Sequence, residues 1–306
     1  MKEKMVQKIS DLAERVEDAA EIVVDKAKMT ADKTQAAVIG AIDQNGNGEA
    51  DIEDVIIMGL RVPGIRVERE AFLRKEFFKR YPQEVIDDAI TRTPALAGIK
   101  AEDIDAIADE VIQYERVCVS GISAALSAPG GFAMAATIPA DIAQYYGYML
   151  RATQKLLYLY GFPEIDTVEK GQVFDTETIN ILIICLGVMY GAAGANNALK
   201  VLAKGLAAGV EKKLLKAALT KGAIYPVVKS VAKWFNVHMT KQVFAGFFKK
   251  TIPLVGGFIG GGLTYLSFKP CCDKLKHSLQ HTHLTKPEQT VTIEEVIVEL
   301  DELQEI

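Results

Sequence analysis

Three stretches of this chain carry no formal charge over lengths that cannot lie open to water: residues 117–140, 178–199 and 251–268. Each must be buried in protein or in lipid, and that requirement constrains the fold of these 306 residues more than any other feature. The first run is 24 residues long, enough for a helix to span a bilayer. Pro129-Gly130-Gly131 falls near its middle, however, and its apolarity comes from Ala, Gly and Ser more than from Leu and Ile. The second has ILIICLGVMYGAAGA at its heart. The third, with IPLVGGFIGGG, spaces small residues three and four apart, which lets helices approach closely. All three suit the interior of a tightly packed helical domain, the reading favoured over spanning helices. Composition alone leaves both open.

Charge is strongly segregated around these runs. Residues 1–60 hold 13 acids against 7 bases, whereas residues 200–250 hold 11 lysines opposed only by Glu211. After Lys286 come seven acids and no base. An acidic head, a basic third quarter and an acidic tail imply an electrostatic partner for the basic part. The basic helices place Lys212, Lys213, Lys216, Lys229, Lys233, Lys249 and Lys250 near Trp234, Phe235 and three further phenylalanines. Lysines beside aromatics on amphipathic helices suit an anionic membrane surface, so these lysines and Trp234 are the candidate contacts. The bland alternative is a solvated lysine face over an aromatic core. Nucleic acid is a poorer fit, because the zone is almost without arginine and no helix-turn-helix, zinc-finger or RNA-recognition pattern is present.

The most specific motif is DQNGNGEADIED at 43–54. Asp43, Asn45 and Asn47 occupy positions 1, 3 and 5 of an EF-hand loop, Gly48 the sharp turn, Asp51 position 9 and Asp54 position 12. Glu49 can add its backbone carbonyl. Ca²⁺ requires six to eight oxygens at close range, and this spacing wraps them round one point. Helices predicted at about 31–42 and 52–60 flank the loop as that chemistry requires. Position 12 is Asp rather than the usual Glu, as in the calcium loops of dockerin modules, which this loop resembles there. The competing reading is an Asn/Gly-rich surface turn with Asp54 beginning a helix.

Elsewhere the pattern is helical throughout. Met5, Ile9, Leu12, Val16, Ala19 and Val23 trace one stripe, Ile104, Ile107, Ala108, Val111 and Ile112 another, and Ile293, Val296, Ile297, Leu300 and Leu303 a third on the acidic tail. Thr292 with Glu295 reads as a capping box for that tail helix. PGGF at 129–132, IPAD at 138–141, Arg151 and YGF at 160–162 resemble the EcsC family of bacterial proteins, as does KTIPLVGGFIGGGLTY at 250–265. The resemblance covers roughly 65–280. It implies an α-helical fold and an association with bacterial membrane transport, with no agreed biochemical activity.

Enzymatic signatures are scarce. No phosphate-cradling GxxxxGK[ST], nucleophile-elbow GxSxG, GxGxxG or HExxH occurs, and Ser230-Val-Ala-Lys233 is an SxxK without companions. Cys271, Cys272, His277, His281 and His283 cluster within 13 residues, but adjacent cysteines without CxxC spacing suit zinc poorly. The charged amino terminus lacks the apolar core of a signal peptide. The expectation is therefore an all-α helical bundle: residues 1–62 with the calcium loop, an EcsC-type domain at 63–285, and an acidic tail helix at 286–306. Its expected role is a non-enzymatic, calcium-binding contact with the cytoplasmic membrane surface or a membrane transport complex, peripheral at the inner face. A hydrolase acting on a hydrophobic or lipid substrate, and a soluble scaffold with a structural calcium site, are the alternatives. Oligomeric state is not legible.

Overall fold

The computed structural model describes residues 40, 42–44, 46, 51–127, 133–166, 174–250 and 256–304, with side chains described outside 123–141, 239–261, 263 and 304. The fold is all-α. Among the described residues eleven α-helices follow one another: α1 (Ile52–Arg61), α2 (Arg69–Phe77), α3 (Gln83–Thr91), α4 (Ala101–Ser127), α5 (Ala133–Leu159) and α6 (Thr176–Tyr190), then α7 (Ala195–Ala207), α8 (Lys212–Thr220), α9 (Tyr225–Lys250), α10 (Gly256–Gln280) and α11 (Ile293–Gln304). The amino-terminal stripe at 5–23 and most of the helix predicted at 31–42 lie outside the described residues.

The second uncharged run forms most of α6, the turn after it and the start of α7. Helix α6 is buried on nearly every side, whereas Gly191, Ala193, Gly194, Asn196 and Asn197 are exposed, so the run is not buried throughout. Eleven residues of α6, from Thr178 to Met189, are buried. At about 1.5–3 kcal/mol for each fully buried aliphatic side chain, a helix of this kind stabilises the whole bundle. It packs against α1, α5, α7, α8, α9 and α10. Gly187 makes that crowding possible. A Cβ there would lie 2.7 Å from Val231 Cγ1 of α9 and 2.8 Å from Ala195 Cβ of α7. No helix among the described residues is long and apolar enough to cross a membrane.

The most extensive helix pair is α4 with α10, followed by α4 with α5 and α1 with α5. The stripe of Ile104, Ile107, Ala108, Val111 and Ile112 is buried in α4, as its spacing requires. Gly59 of α1 meets Gly147 of α5 nearly backbone to backbone, since a Cβ on Gly59 would sit 3.0 Å from Gly147 N. Between α1 and α2 the chain turns at Gly64 (φ +81°) and runs extended. There Val67 N donates to Gln154 Oε1 at 3.0 Å, and Gln154 Nε2 donates to Ile65 O at 3.2 Å. A buried amide thus supplies the hydrogen bonds that a neighbouring strand would otherwise give.

The YGF at 160–162 has a structural use. Gly161, at φ +93°, ends α5 in a conformation that L side chains resist, and Phe162 turns into the core. Tyr160 OH donates to Asp105 Oδ1 at 2.7 Å. Phe162 O accepts from Nε of the buried Arg69 at 3.1 Å, and the same guanidinium reaches Ile90 O at 2.6 Å and Ala89 O at 3.3 Å. Arg69 therefore collects the carbonyls at the carboxyl end of α3, where a cation is favoured. Burial lowers its pKa, with Tyr158 and Glu164 opposing that shift.

Candidate calcium loop and lysine face

The loop at 43–54 delivers the chain into α1, and its described residues are joined by carboxylates. Asp51 is the N-cap of α1, with Oδ1 accepting from Glu53 N at 2.8 Å and from Asp54 N at 3.1 Å. Asp54, at the third helical position, reaches back. Its Oδ2 accepts from Asp51 N at 3.0 Å, which completes a capping box, and its Oδ1 accepts from Gln44 N at 2.8 Å. At the other end of the loop, Asp43 Oδ1 accepts from Gly46 N at 2.6 Å, closing a turn at φ +75°. Positions 2, 9 and 12 of the motif are thereby tied together, with the Asp54 side chain fully buried at the knot.

Each of these carboxylate oxygens can accept more than one contact, so the N–H bonds do not exhaust them. Glu53 records the local excess of negative charge. Its pKa is raised by burial first, then by Asp51 and Asp54. Arg61, at the far end of α1, donates to Gln44 Oε1 at 2.6 Å and holds the loop against its own helix. Asn45, Asn47 and Glu49, half of the expected ligand set, lie outside the described residues. Among the described residues no three His, Cys, Asp or Glu side chains are grouped to hold a metal ion. Asp43, Asp51 and Asp54 would need those undescribed oxygens, or water, to complete a calcium shell.

Of the lysines singled out from the sequence, Lys212, Lys213, Lys216, Lys229 and Lys233 are exposed, and Trp234 is half-buried. Lys249 and Lys250 end α9, with side chains outside those described. The inner faces explain the arrangement: Leu215, Ala218 and Leu219 of α8 and Val227, Val228, Val231 and Phe235 of α9 are buried, which leaves the lysines on the opposite sides. Leu214 is 58% exposed next to Lys213, and Val237 is 49% exposed beyond Lys233.

Two lysines of the zone are answered within the molecule, by partners that sequence spacing could not reveal. Lys216 Nζ lies 2.8 Å from Asp175 Oδ2 and 3.5 Å from Glu177 Oε2, at the start of α6. Lys204 Nζ lies 2.6 Å from Glu299 Oε1 and 3.9 Å from Glu295 Oε2 of α11. The acidic tail thus docks on α7, at the edge of the basic zone. Its Thr292–Glu295 box forms as the spacing suggests, and Val296 and Leu303 are buried beneath it.

In the cysteine–histidine cluster the His277 and His281 rings lie with centroids 4.5 Å apart. Cys272 is fully buried, and burial raises its pKa well above the ordinary thiol range. His281 Nδ1 lies 2.7 Å from His277 O, a bond within α10's own last turn. Arg151 pairs with Glu115 of α4 at 3.4 Å. Searches against protein-family models, curated proteins and solved structures find no match to this chain.

Proposed function

We propose that this chain is a non-enzymatic calcium-binding protein whose lysine-rich helices adsorb to an anionic membrane surface, or to a membrane transport complex that presents one. The observation that carries the reading is the link between its two halves. Helix α1, whose capping box uses positions 9 and 12 of the loop, packs against α9, which bears Lys229, Lys233 and Trp234. Calcium held by Asp43, Asn45, Asn47, Asp51, Asp54 and the Glu49 carbonyl would draw in carboxylates that otherwise repel one another. It would also fix the start of a helix that packs against the helix carrying the lysine face. Resemblance to the EcsC family points toward the same cytoplasmic membrane surface.

Charge supports the membrane half. Each lysine close to an anionic bilayer contributes about 1 kcal/mol, so roughly half of the 11 lysines give several kcal/mol, enough for reversible adsorption without insertion. Exposed Leu214 and Val237 beside those lysines suit shallow contact at headgroup depth. The docked acidic tail competes for the same charge, since Glu295 and Glu299 already engage Lys204.

Co-sedimentation with vesicles of phosphatidylglycerol in phosphatidylcholine tests the reading, with calcium and with chelator. Binding should require the anionic lipid, weaken with salt, and strengthen when residues 288–306 are deleted. Titration calorimetry of calcium into the wild type and Asp43→Ala tests the loop, with affinity at the weak end of the EF-hand range. No heat at millimolar calcium would sink the calcium half. Heat without any dependence of vesicle binding on lipid charge would leave a scaffold with a structural ion.

A further inference from the structure

Between α4 and α5 the fold buries a charged group that neither the loop nor the lysine face uses. Glu115 of α4 is fully buried, and two cations of α5 share one of its oxygens. Lys155 Nζ donates to Oε1 at 2.6 Å, while Arg151 Nε stands 3.4 Å from that same atom. Glu115 Oε2 and Arg151 Nε, both buried, make no hydrogen bond. Neither Nη nitrogen of Arg151 hydrogen-bonds a described residue, although its side chain is 27% exposed and reaches the surface. Two positive charges against one negative leave a surplus of +1 in a poorly solvated place, where such a surplus is costly.

Aromatic rings surround the surplus. The Arg151 guanidinium carbon lies 5.9 Å from the Tyr148 ring centre, and Lys155 Nζ lies 5.6 Å from that of Tyr114. Tyr114 is 59% exposed. The result is a two-pronged donor at the surface, a second cation behind it, and phenol rings on either side. A guanidinium with both terminal nitrogens open is the side chain that grips an oxyanion through two parallel hydrogen bonds.

We propose that Arg151, backed by Lys155 and Glu115 and flanked by Tyr114 and Tyr148, binds a singly charged oxyanion, a carboxylate or a phosphodiester. One negative charge cancels the surplus. A dianion would leave the buried group negative and pair less well. The anion can arrive free in solution or as part of a lipid, and the chemistry at Arg151 is the same for both. This inference is independent of the calcium loop and of the lysines on α8 and α9.

The test exploits variants with opposite expected signs. Calorimetry and thermal melts of the full chain would use butyrate and glycerophosphoglycerol as soluble probes and phosphatidylglycerol vesicles as the lipid source. The wild type should bind at least one source saturably, and Arg151→Gln should weaken that binding about tenfold or more, having lost the charged fork. Glu115→Gln should tighten it by a similar factor, because the internal competitor for both cations is gone, and its melt should rise more than the wild type's on adding the anion. Should Arg151→Gln not fold, Arg151→Lys, which keeps the charge and loses the fork, should weaken binding several-fold. Loss of soluble-probe binding in Arg151→Gln with unchanged vesicle binding assigns a free oxyanion. Loss of vesicle binding in Arg151→Gln, with every lysine of α8 and α9 left in place, assigns a lipid. Two results overturn the proposal: no saturable heat from either soluble probe together with vesicle binding indifferent to Arg151, or Glu115→Gln weakening binding alongside Arg151→Gln.

Discussion

The two acidic ends of this protein handle their charge in opposite ways. In the tail, Glu295 and Glu299 of α11 meet Lys204 of α7, so the negative charge is answered by a cation of the same chain. Around the loop, no lysine or arginine occurs between Lys33 and Arg61, while Asp43, Glu49, Asp51, Glu53 and Asp54 all fall in that interval. There the described carboxylates are met by backbone N–H groups of Gln44, Gly46, Asp51, Glu53 and Asp54. Backbone dipoles orient a carboxylate without cancelling its charge. On the proposed reading, a region organised in this way takes up an added cation, whereas the tail already lends two of its carboxylates to a lysine of the same chain. That contrast separates the proposed metal-binding element from the proposed internal competitor for an anionic partner.

The largest expected effect comes from Asp54. Replacing it with Ala strips two part-buried N–H donors, Gln44 and Asp51, of their acceptor, which should cost about 2–4 kcal/mol in urea unfolding. The same variant should give no calcium heat. An unfolding midpoint within error of the wild type would mean the knot is unimportant and the contrast with the tail is empty.

Calcium itself comes next. At a hundredfold excess over its Kd, a ligand that binds only the folded state adds about 2.7 kcal/mol, so the wild-type melt should rise with calcium and return with chelator. Asp43→Ala should remove the response. A rise that survives Asp43→Ala would locate the ion elsewhere.

Smaller still is the effect at the tail. Lys204→Ala should cost no more than about 1 kcal/mol, because Glu295 and Glu299 are substantially exposed and screened. Hydrogen exchange at 293–304 should nevertheless speed up, with a larger change at low salt. Unaltered exchange would mean Val296 and Leu303 alone hold the helix.

The smallest effect is a pH dependence at Glu53. Burial, Asp51 and Asp54 raise its folded pKa above the ordinary glutamate value of 4.5, so the folded state binds this proton more tightly than the unfolded chain does. Stability from that group is fully present below pH 4.5 and is lost as pH rises through the raised folded value. Metal-free protein should therefore gain slightly on acidification toward that window, and saturating calcium, by offsetting Asp51 and Asp54, should flatten the profile. A metal-free profile as flat as the calcium-loaded one would remove Glu53 as a reporter of the crowding.

Much of this molecule follows from local pattern. The period-3.6 stripes of α4 and α11, the break at Pro82, the turn at Pro63-Gly64 and the Thr292–Glu295 box all act within one or two turns of helix, so spacing alone reveals them. The burial of α6 was legible as well, because an unbroken run without charge from Thr178 to its end leaves few other places to go. The motif spaces oxygen ligands, and its described order comes from a helix cap: Asp51 begins α1 and Asp54 completes the box, three residues earlier than a helix start at Asp54. Long-range partners were beyond the sequence. Arg69 reaches the carbonyls of 89, 90 and 162, Lys216 finds Asp175, and Arg151 meets Glu115. Spacing reports which side chains share a face of one helix, because helix geometry is local. Which helices then lie against one another is set by whole apolar faces competing for burial, and charged side chains take the partners that this packing leaves within reach.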